Sequence, residues 1–332
     1  MQALLARSAA TWFPGATGVT NAVRLSGGAS QETWSFDIIH PDGLIGAILR
    51  RAPTGYGAAP ERAAGLNTEA DLMQRAYAAG VPSPRVLHVL QPQDGLGTGF
   101  IMQRVDGETI PRKILRDAQF AEARPKLARQ VGRILAGIHG LALSELPELR
   151  TMTPAKEIAE LERDYRSFDW PRPVFELALR WLSDRDPGPS REVTLVHGDF
   201  RHGNLIIGPD GVRAVLDWEL AHAGDPLEDL GWVCVNSWRF GEIDKPVGGF
   251  GSREELFAGY ERAGRHVDAD RVHFWEVMGT LRWGVMCCGM MARFRIGPEH
   301  SIERAMIGRR ASETEIDLLR LLAPRGGRRN AG

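Results

Sequence analysis

Alternating apolar and polar positions predict a small sheet in the first hundred residues. The stretch AVRLSGGASQETWSFDII predicts a strand, a Gly-Gly-Ala-Ser turn and a second strand. DGLIGAILRRAP predicts a third strand that follows an Asp-Gly turn and ends at Pro53. SPRVLHVL and TGFIMQRV predict two more strands around a glycine-rich turn. We therefore expect about five antiparallel strands.

One helix is expected among these strands. In ERAAGLNTEADLMQRAYAAG, apolar side chains recur at helical spacing at Leu66, Ala70, Met73 and Tyr77. Gly80 follows at the place where a glycine commonly ends a helix. Strands and a helix in this proportion predict a small α+β unit.

From Asp106 onward the pattern becomes mostly helical. AEARPKLARQVGRILAGIHGL, AKEIAELERDYRSF and PVFELALRWLSD each carry an apolar face at helical spacing. We therefore predict a fold of two lobes, with an N-lobe at 1–103 and a larger helical C-lobe at 104–332. A cleft between two lobes is a common place for a ligand.

The composition excludes several classes of protein. The chain has 332 residues and a formal net charge of −1, which gives no sign of nucleic-acid binding through bulk charge. Its three cysteines have no CxxC spacing, so a disulfide framework is not expected. These features predict a protein of a reducing, cytoplasmic compartment.

Two apolar segments could in principle be a targeting signal or a membrane span. MQALLARSAATWFPG has no basic region followed by a long apolar one, and it predicts a short helix that ends before Pro14. FWEVMGTLRWGVMCCGMMARF is interrupted by Glu276, Arg282 and Arg293, which favours a buried helix over a membrane span.

The densest group of ionisable residues surrounds a predicted hairpin. LIIGPDGVRAVLD consists of two apolar runs around a Pro-Asp-Gly turn. Asn204 precedes the first run and Asp217 follows the second, so the hairpin brings them together, and Asp199 lies five residues before Asn204. Carboxylates packed this closely repel one another unless a cation lies among them. Hard oxygen ligands of this kind favour Mg²⁺.

An Asp, an Asn five residues later, a hairpin and a second Asp are also the layout of phosphoryl-transfer sites in kinases. With its flanking motifs, the chain resembles the aminoglycoside phosphotransferase and choline kinase superfamily, and looks closest to the branch related to acyl-CoA dehydrogenase-associated kinases. The motifs that carry the resemblance are HGDFRHGN, LDWE, GDPLEDLGW, LSGGASQETW, AILRR, EADLMQRAYAAGVPSPRVL and FIMQRVDGETI.

The resemblance implies a bilobal, protein-kinase-like α+β fold and a phosphotransferase that uses ATP and Mg²⁺, with GTP left open. Asp199 would orient and deprotonate the acceptor hydroxyl. Asn204 and Asp217 would hold the metal, whereas Glu219, in a DWE motif where protein kinases have DFG, would lie behind it. The acceptor would be a small molecule, and neither a nucleic acid nor a membrane is expected as a partner; the oligomeric state is left open.

Further roles are implied for the N-lobe. Arg50 would reach the nucleotide phosphates and Glu69 would anchor it, with Arg51 as the alternative cation. The backbone near adenine would be that of Gln103, Arg104 and Val105. The turn over the phosphates would be formed by Gly27, Gly28, Ala29 and Ser30, although GGAS departs from the GxGxxG pattern.

Other polar residues near the hairpin allow more than one interpretation. His197 is expected to brace its loop, and a zinc site built from His197, Asp199 and His202 is a weaker hypothesis because the spacing is not distinctive. Arg201 is expected either to face the acceptor or a phosphate, or to lie on the surface. Asp225 is expected to cap or tie the following helix.

The acceptor is the least determined part of the prediction. Aminoglycosides are polycations and require acidic sites, whereas the C-terminal helices offer Arg282, Arg293 and Arg295 with tryptophans and methionines. This favours an apolar or anionic acceptor, such as the hydroxyacyl-CoA that the resemblance implies. An aminoglycoside phosphotransferase and a nucleotide-binding pseudokinase remain the alternatives.

Overall fold

The computed structural model describes residues 1–25, 31–52, 62–297 and 301–323. Within these ranges the first part of the chain forms one antiparallel sheet, with the strand order β1-β2-β3-β5-β4. The strands are β1 (Gly18–Arg24), β2 (Glu32–His40), β3 (Gly43–Ala52), β4 (Val86–Val89) and β5 (Thr98–Gln103). The predicted five-stranded antiparallel sheet is confirmed.

The two faces of this sheet pack against different helices. Helix α1 (Gln2–Trp12) packs on one face, where Leu5 and Ile101 belong to the same apolar core. Helix α2 (Leu66–Ala78) packs on the other face, where Phe100 belongs to a second, larger apolar core that also includes residues of the later helices. Successive residues of β5 therefore enter different cores, as the alternation of a strand requires.

The chain after β5 is mostly helical, as predicted. The helices before the predicted hairpin are α3 (Pro111–Arg116), α4 (Arg124–His139), α5 (Pro154–Arg166) and α6 (Pro173–Asp184). Those after it are α7 (Leu227–Cys234), α8 (Arg253–Arg262), α9 (Ala269–Ile296), α10 (Ile302–Gly308) and α11 (Ala311–Leu322).

Two short ribbons lie among these helices and carry the residues of interest. Strand β6 (Thr194–Val196) pairs with β9 (His222–Gly224), and β7 (Leu205–Gly208) pairs with β8 (Gly211–Val215). Both ribbons are antiparallel and almost wholly buried. The loop between β6 and β7 and the segment between β8 and β9 are therefore held at both ends by buried backbone pairing.

Helix α9 is the longest helix that the structure describes, with 28 residues, and it buries polar as well as apolar side chains. Glu276, Thr280 and Arg282 are all buried along it. Of the helices within the described ranges, none combines the length and the apolarity that a bilayer crossing requires.

Candidate functional site

The hairpin brings Asn204 and Asp217 to the same end of the ribbon. Leu205 pairs with Val215 across β7 and β8, and the Leu216 N–H donates to Asn204 O at 2.8 Å. Asn204 directly precedes β7. Asp217 directly follows Leu216, the residue whose backbone pairs with that of Asn204.

Asp199 lies next to Asn204 and has both carboxylate oxygens engaged. Asn204 Nδ2 donates to Asp199 Oδ2 at 2.7 Å and to Asp199 O at 2.9 Å. The other oxygen, Oδ1, accepts from Trp232 Nε1 at 3.0 Å and from Arg201 Nε at 3.1 Å. The side chain keeps 15% of its surface exposed. It is held in one orientation while remaining open to a ligand.

The loop before Asp199 is anchored by a buried carboxylate on α7. Asp229 accepts backbone hydrogen bonds from His197 at 2.8 Å and from Gly198 at 3.0 Å. Its Oδ2 also lies 3.0 Å from His139 Nε2, and His139 Nδ1 lies 2.8 Å from the Tyr260 hydroxyl. Burial would raise the pKa of Asp229, but its hydrogen bonds and the neighbouring histidines outweigh burial, and the pKa is lowered.

The ring of His197 acts within the loop and does not face a ligand. Its Nε2 lies 3.1 Å from Leu216 O, and its Nδ1 accepts from the Asp199 N–H at 3.3 Å. Because a carbonyl only accepts, Nε2 carries the proton and the ring is neutral. Burial lowers the pKa of His197, which favours the same neutral form.

A glycine and a buried arginine set the path of this loop. Gly198 has φ +80°, and a Cβ there would lie 2.4 Å from Leu220 O. Arg282 on α9 donates to Gly198 O at 2.9 Å and to Glu228 Oε1 at 2.8 Å, and lies 4.0 Å from the Trp232 ring centroid. The expectation that Arg282 faces the acceptor is therefore wrong, because its guanidinium is buried beneath the loop.

Asp217 adopts a backbone conformation that is unusual for a residue with a side chain. Its φ is +66° and its ψ is +65°, which is the left-handed region. Strain of this kind costs on the order of 1–3 kcal/mol and persists where surrounding contacts require it. It directs the carboxylate towards Arg50, whose Nη1 and Nη2 lie 3.2 and 3.1 Å from Asp217 Oδ1.

Arg50 links the sheet to the hairpin and to α2. Its Nη1 lies 2.8 Å from Glu69 Oε1, and its Nη2 donates to Gln31 Oε1 at 2.8 Å. Burial would lower the pKa of Arg50, but Glu69 and Asp217 outweigh it and the pKa is raised. For Glu69, burial together with Asp217 and Glu219 outweighs Arg50 and raises the pKa to about 7.

Arg51 lies on the opposite face of β3 and is engaged elsewhere. Its guanidinium donates to Glu32 Oε2 at 2.7 and 3.0 Å and to Leu96 O at 2.9 Å. Of the two candidate cations, Arg50 is therefore the one that the structure brings to Asp217 and Glu69.

The predicted nucleotide contacts of the N-lobe converge on one cavity of about 490 Å³. Arg50, Asp217 and Glu219 line one part of it, and the segment 103–105 lines another. Burial, followed by the charge of Asp217, raises the pKa of Glu219. Glu69 and Asn204 border this region without lining the cavity. The predicted phosphate turn at Gly27, Gly28, Ala29 and Ser30 lies outside the described residues.

Arg104 helps to shape the outer edge of this cavity. Its Nη2 donates to Asp37 Oδ1 at 2.8 Å, and its backbone N–H donates to Gly46 O at 2.9 Å. A Cβ on Gly46 would lie 2.8 Å from the Arg104 guanidinium, so a larger residue there would require this flexible side chain to shift. The Arg104 side chain is thus turned back onto the sheet.

The oxygens near the hairpin suit a hard cation. Asn204 turns its amide nitrogen to Asp199, which leaves the amide oxygen as the atom available to a metal. Burial, followed by the charge of Asp217, raises the pKa of Glu219, and a cation beside these carboxylates would favour their charged forms. An amide oxygen and carboxylate oxygens are the ligands that Mg²⁺ accepts, so the residues fit it.

The zinc hypothesis fails on the position of His202. Its Nδ1 lies 2.7 Å from Gly248 O, its ring is enclosed by Phe240 and Phe250, and burial lowers its pKa to about 4. Among the described side chains, no three histidines, cysteines, aspartates or glutamates come close enough to share a metal. His202 is a buried support of the loop.

Several residues of the site were missed or only partly foreseen. Trp232 and Gln31 had no predicted role, although Trp232 stands in the GDPLEDLGW motif. The expected tie at Asp225 is present: its Oδ1 accepts from the Leu227 N–H at 3.0 Å, and its Oδ2 accepts from Trp275 Nε1 at 2.7 Å. Arg201 binds Asp199, and its guanidinium lies 5.0 Å from the Trp238 ring centroid.

Comparisons with known proteins agree with this geometry. The model of a phosphotransferase enzyme family matches residues 21–266. Acyl-CoA dehydrogenase family member 11 of Gallus gallus is 28% identical over 309 residues, 83% of this chain and 38% of that protein. Family member 10 of Mus musculus is 30% identical over 200 residues, 57% of this chain and 18% of that protein. The chain thus spans less than two fifths of the length of these relatives.

A smaller relative and several solved structures are also similar. Viomycin phosphotransferase of Streptomyces vinaceus is 29% identical over 143 residues, 40% of this chain and 47% of that protein. A candidate aminoglycoside phosphotransferase from Ralstonia eutropha has a TM-score of 0.71 at 20% identity, covering 97% of this chain and 98% of its own.

Another aminoglycoside phosphotransferase, solved with ADP and hygromycin B, has a TM-score of 0.59 at 20% identity and covers 92% of this chain and 95% of its own. At such identities the structural likenesses establish the fold alone. The predicted kinase-like α+β fold is confirmed.

Proposed function

The chain belongs to the phosphotransferase enzyme family, and from this premise we propose that it transfers the γ-phosphate of ATP to a hydroxyl of a small molecule. The observation that carries the proposal is the fixed Asp199 carboxylate, held by Asn204 and Trp232 beside a metal-compatible hairpin end. A solvated loop would not require buried donors on both oxygens of one carboxylate.

Asp199 serves as the base in this proposal. The acceptor hydroxyl approaches the exposed edge of the carboxylate and gives up its proton to it as the oxygen attacks the γ-phosphorus. The bond between that phosphorus and the β–γ bridging oxygen breaks, and ADP leaves with the bridging oxygen. Positioning of this kind, with electrostatic stabilisation, supplies most of the catalysis in phosphoryl transfer.

Mg²⁺ would be held by Asn204 and Asp217, and when bound it neutralises the charge of the nucleotide phosphates. Arg50 is bound to Asp217 Oδ1 and is placed to move its guanidinium onto a nucleotide phosphate. Glu69 then remains as the second anchor of Arg50, with Oε1 at 2.8 Å from Nη1.

The nucleotide is assigned to the cavity of about 490 Å³ beneath the sheet. Its size lies within the range typical of small-molecule and cofactor sites. Ile48, Met102 and Ile206 provide apolar walls for a base, while Arg50 and Asp217 lie at the polar part of the lining. The backbone of Gln103 to Val105 supplies the groups that would meet adenine, and GTP remains the alternative nucleotide.

An apolar or anionic acceptor, such as a hydroxyacyl-CoA, is favoured over a polycation. Arg201 pairs with Asp199 at 3.1 Å, so the carboxylate at the point of reaction is largely neutralised and offers little attraction to a cationic substrate. Trp232, Trp238 and Trp283 continue from Asp199 as an aromatic series, with ring centroids 5.2 and 4.9 Å apart. The names of the acyl-CoA dehydrogenase relatives support the same class of acceptor.

Aminoglycoside phosphorylation is the second candidate, because aminoglycoside phosphotransferases are among the similar structures and another antibiotic kinase, viomycin phosphotransferase, is among the relatives. A coupled assay of ADP release would compare hydroxyacyl-CoA thioesters, free hydroxy acids, choline, homoserine and aminoglycosides. Turnover of thioesters or hydroxy acids is expected. Turnover of aminoglycosides above all others would overturn the preferred acceptor.

The base assignment is tested with Asp199→Asn on an accepted substrate. We expect kcat to fall by about 10²–10⁴-fold, the usual contribution of a positioned base, while nucleotide affinity is retained. Full activity of this variant would refute the role of Asp199. Nucleotide binding without transfer to any hydroxyl compound, by the wild type as well, would favour the pseudokinase alternative.

A further inference from the structure

A second concave site lies away from the nucleotide cavity, in a groove between α4 and α8. Its volume is about 620 Å³, and its lining shares no residue with the lining of the nucleotide cavity. Its polar lining consists mainly of Lys126, Arg129, Gln130, Arg133 and Arg262. We call it the α4–α8 groove.

The groove concentrates positive charge that is not neutralised locally. Within the described parts of the chain, no carboxylate pairs with Lys126, Arg129, Arg133 or Arg262, and all four residues are exposed. The one acid in the lining, Glu255, is committed to the N-terminus of α8, where its Oε2 accepts from the Ser252 N–H at 3.1 Å. The chain as a whole has a net charge of −1, so this cluster does not reflect a generally basic protein.

The floor of the groove is rigid because its two helices are in backbone contact. A Cβ on Gly132 would lie 2.1 Å from Leu256 O, and one on Gly259 would lie 2.2 Å from Arg129 O. Glycines at these two positions let the helices approach until no side chain fits between them. The four cations therefore project from a fixed base, which lowers the entropy lost when they bind a common ligand.

The groove also touches the structure that carries the catalytic residues. Gln130 Oε1 accepts from the Val212 N–H at 3.1 Å, at the turn of the β7–β8 hairpin. Tyr260, next to Gly259 on α8, contacts His139, which in turn contacts Asp229 under the catalytic loop. A ligand in the groove would thus lie against Gln130, which holds the hairpin, and against Gly259, the chain neighbour of Tyr260.

We propose that the α4–α8 groove is a binding site for a small, multiply charged phosphorylated anion. Four cations around a single concavity match several phosphate oxygens at once, and arginine is well suited to phosphate because its guanidinium can donate two parallel hydrogen bonds. A volume of about 620 Å³ is suitable for a metabolite rather than for an extended polymer. The site is separate from the one used in phosphoryl transfer, so the proposal does not depend on the proposed function.

The test is calorimetric titration of the full chain with inorganic pyrophosphate and tripolyphosphate, in EDTA and at low salt. We expect binding that is about tenfold or more weaker in Arg129→Ala/Arg133→Ala and that weakens as NaCl is added. Arg7→Ala/Arg191→Ala is the matched control, because it removes the same charge at exposed positions outside the groove and is expected to bind as the wild type does.

Arg50→Met separates this site from the nucleotide cavity and is expected to retain binding in EDTA. Loss of binding in Arg50→Met, with full binding in Arg129→Ala/Arg133→Ala, would overturn the proposal. So would a wild type that binds neither anion at millimolar concentration, or that binds an acidic peptide in their place. Thermal unfolding of each variant verifies its folding, and Arg129→Glu, a single charge reversal, provides a second test of the same groove.

Discussion

The indole of Trp232 donates a hydrogen bond of 3.0 Å to Asp199 Oδ1. Trp232 lies on α7, whereas Asp199 lies in the loop after β6, so the bond joins two elements that meet only in the folded chain. With Asn204 on the other oxygen at 2.7 Å, it fixes the plane of the carboxylate. The orientation of the proposed base therefore depends on an aromatic residue.

Trp232→Phe removes this donor while keeping an aromatic ring. We expect kcat to fall by about tenfold, since one hydrogen bond to a charged group contributes about 1.5 kcal/mol, and KM for ATP to stay unchanged. Steady-state kinetics measures both quantities. Trp170→Phe, at a position that is 39% exposed, is the control; equal losses in the two variants would contradict the assigned role.

Asp217→Asn tests the metal site. Loss of one negative ligand is expected to lower kcat by about 10²–10³-fold, and higher Mg²⁺ concentrations should restore only part of it. EDTA is expected to abolish turnover of the wild type. Asp210→Asn at the tip of the same hairpin, where the side chain is 71% exposed, should behave as the wild type does. ADP release as a function of Mg²⁺ gives the comparison.

Arg50→Lys tests whether a single ammonium can replace a guanidinium. Arg50 contacts Glu69, Asp217 and Gln31 with two nitrogens, and a lysine cannot make these contacts together. We expect KM for ATP to rise by about tenfold, with a smaller change in kcat. Arg51→Lys, on the other face of the strand, is expected to leave KM unchanged, and a rise in that variant would contradict the assignment.

The raised pKa of Glu69 predicts how stability depends on pH. Its pKa is about 7 in the folded protein and ordinarily 4.5, so between these values the folded state binds a proton that the unfolded state releases. The contribution of Glu69 to the free energy of unfolding therefore decreases as pH rises through this window, by about 3 kcal/mol in total. It remains low above pH 7.

Urea unfolding of the nucleotide-free wild type and Glu69→Gln at pH 5, 6, 7 and 8 measures this effect. The difference in the free energy of unfolding, wild type minus variant, is expected to decrease from pH 5 to pH 7 and to level off towards pH 8. Parallel pH profiles for the two proteins would show that Glu69 does not titrate in this range.

His139 is expected to contribute to stability through Asp229. In His139→Leu, Asp229 Oδ2 loses its contact at 3.0 Å and the Tyr260 hydroxyl loses one at 2.8 Å. Loss of its partner at the Tyr260 hydroxyl costs about 1–3 kcal/mol in the free energy of unfolding, whereas Asp229 Oδ2 keeps the hydrogen bond from the His197 N–H. Tyr260→Phe leaves the contact with Asp229 intact and should cost less. Chemical denaturation measures the free energy of unfolding of both variants. A larger loss in Tyr260→Phe than in His139→Leu would refute the role assigned to His139.

Local patterns were sufficient to predict the elements that carry the site. Two apolar runs around a Pro-Asp-Gly turn predicted that Asn204 and Asp217 would meet, because the register of a short hairpin follows from its turn. Strand alternation likewise placed Arg50 and Arg51 on opposite faces of β3. The pattern did not show which of these two faces of β3 would lie against Glu69.

Contacts between distant parts of the chain were not predictable in the same way. Arg282 stands in an apolar helix beside tryptophans, a pattern equally typical of a ligand-facing cation and of a buried support. Its partners Glu228 and Gly198 lie 54 and 84 residues away, so only the folded structure distinguishes the two. The role of Trp232 was not predictable for the same reason, because its hydrogen-bond partner Asp199 lies on another element.

Arg282 also links the longest described helix directly to the backbone of the catalytic loop. The inner side of α9 thereby holds Gly198 in position. Met286, on the same helix, is 40% exposed and does not contribute to this contact. Substitutions of the outer side chains of α9 are therefore expected to leave the backbone at Gly198 in place. One helix thus combines a mechanical role on its inner side with an outer surface that is open to substitution.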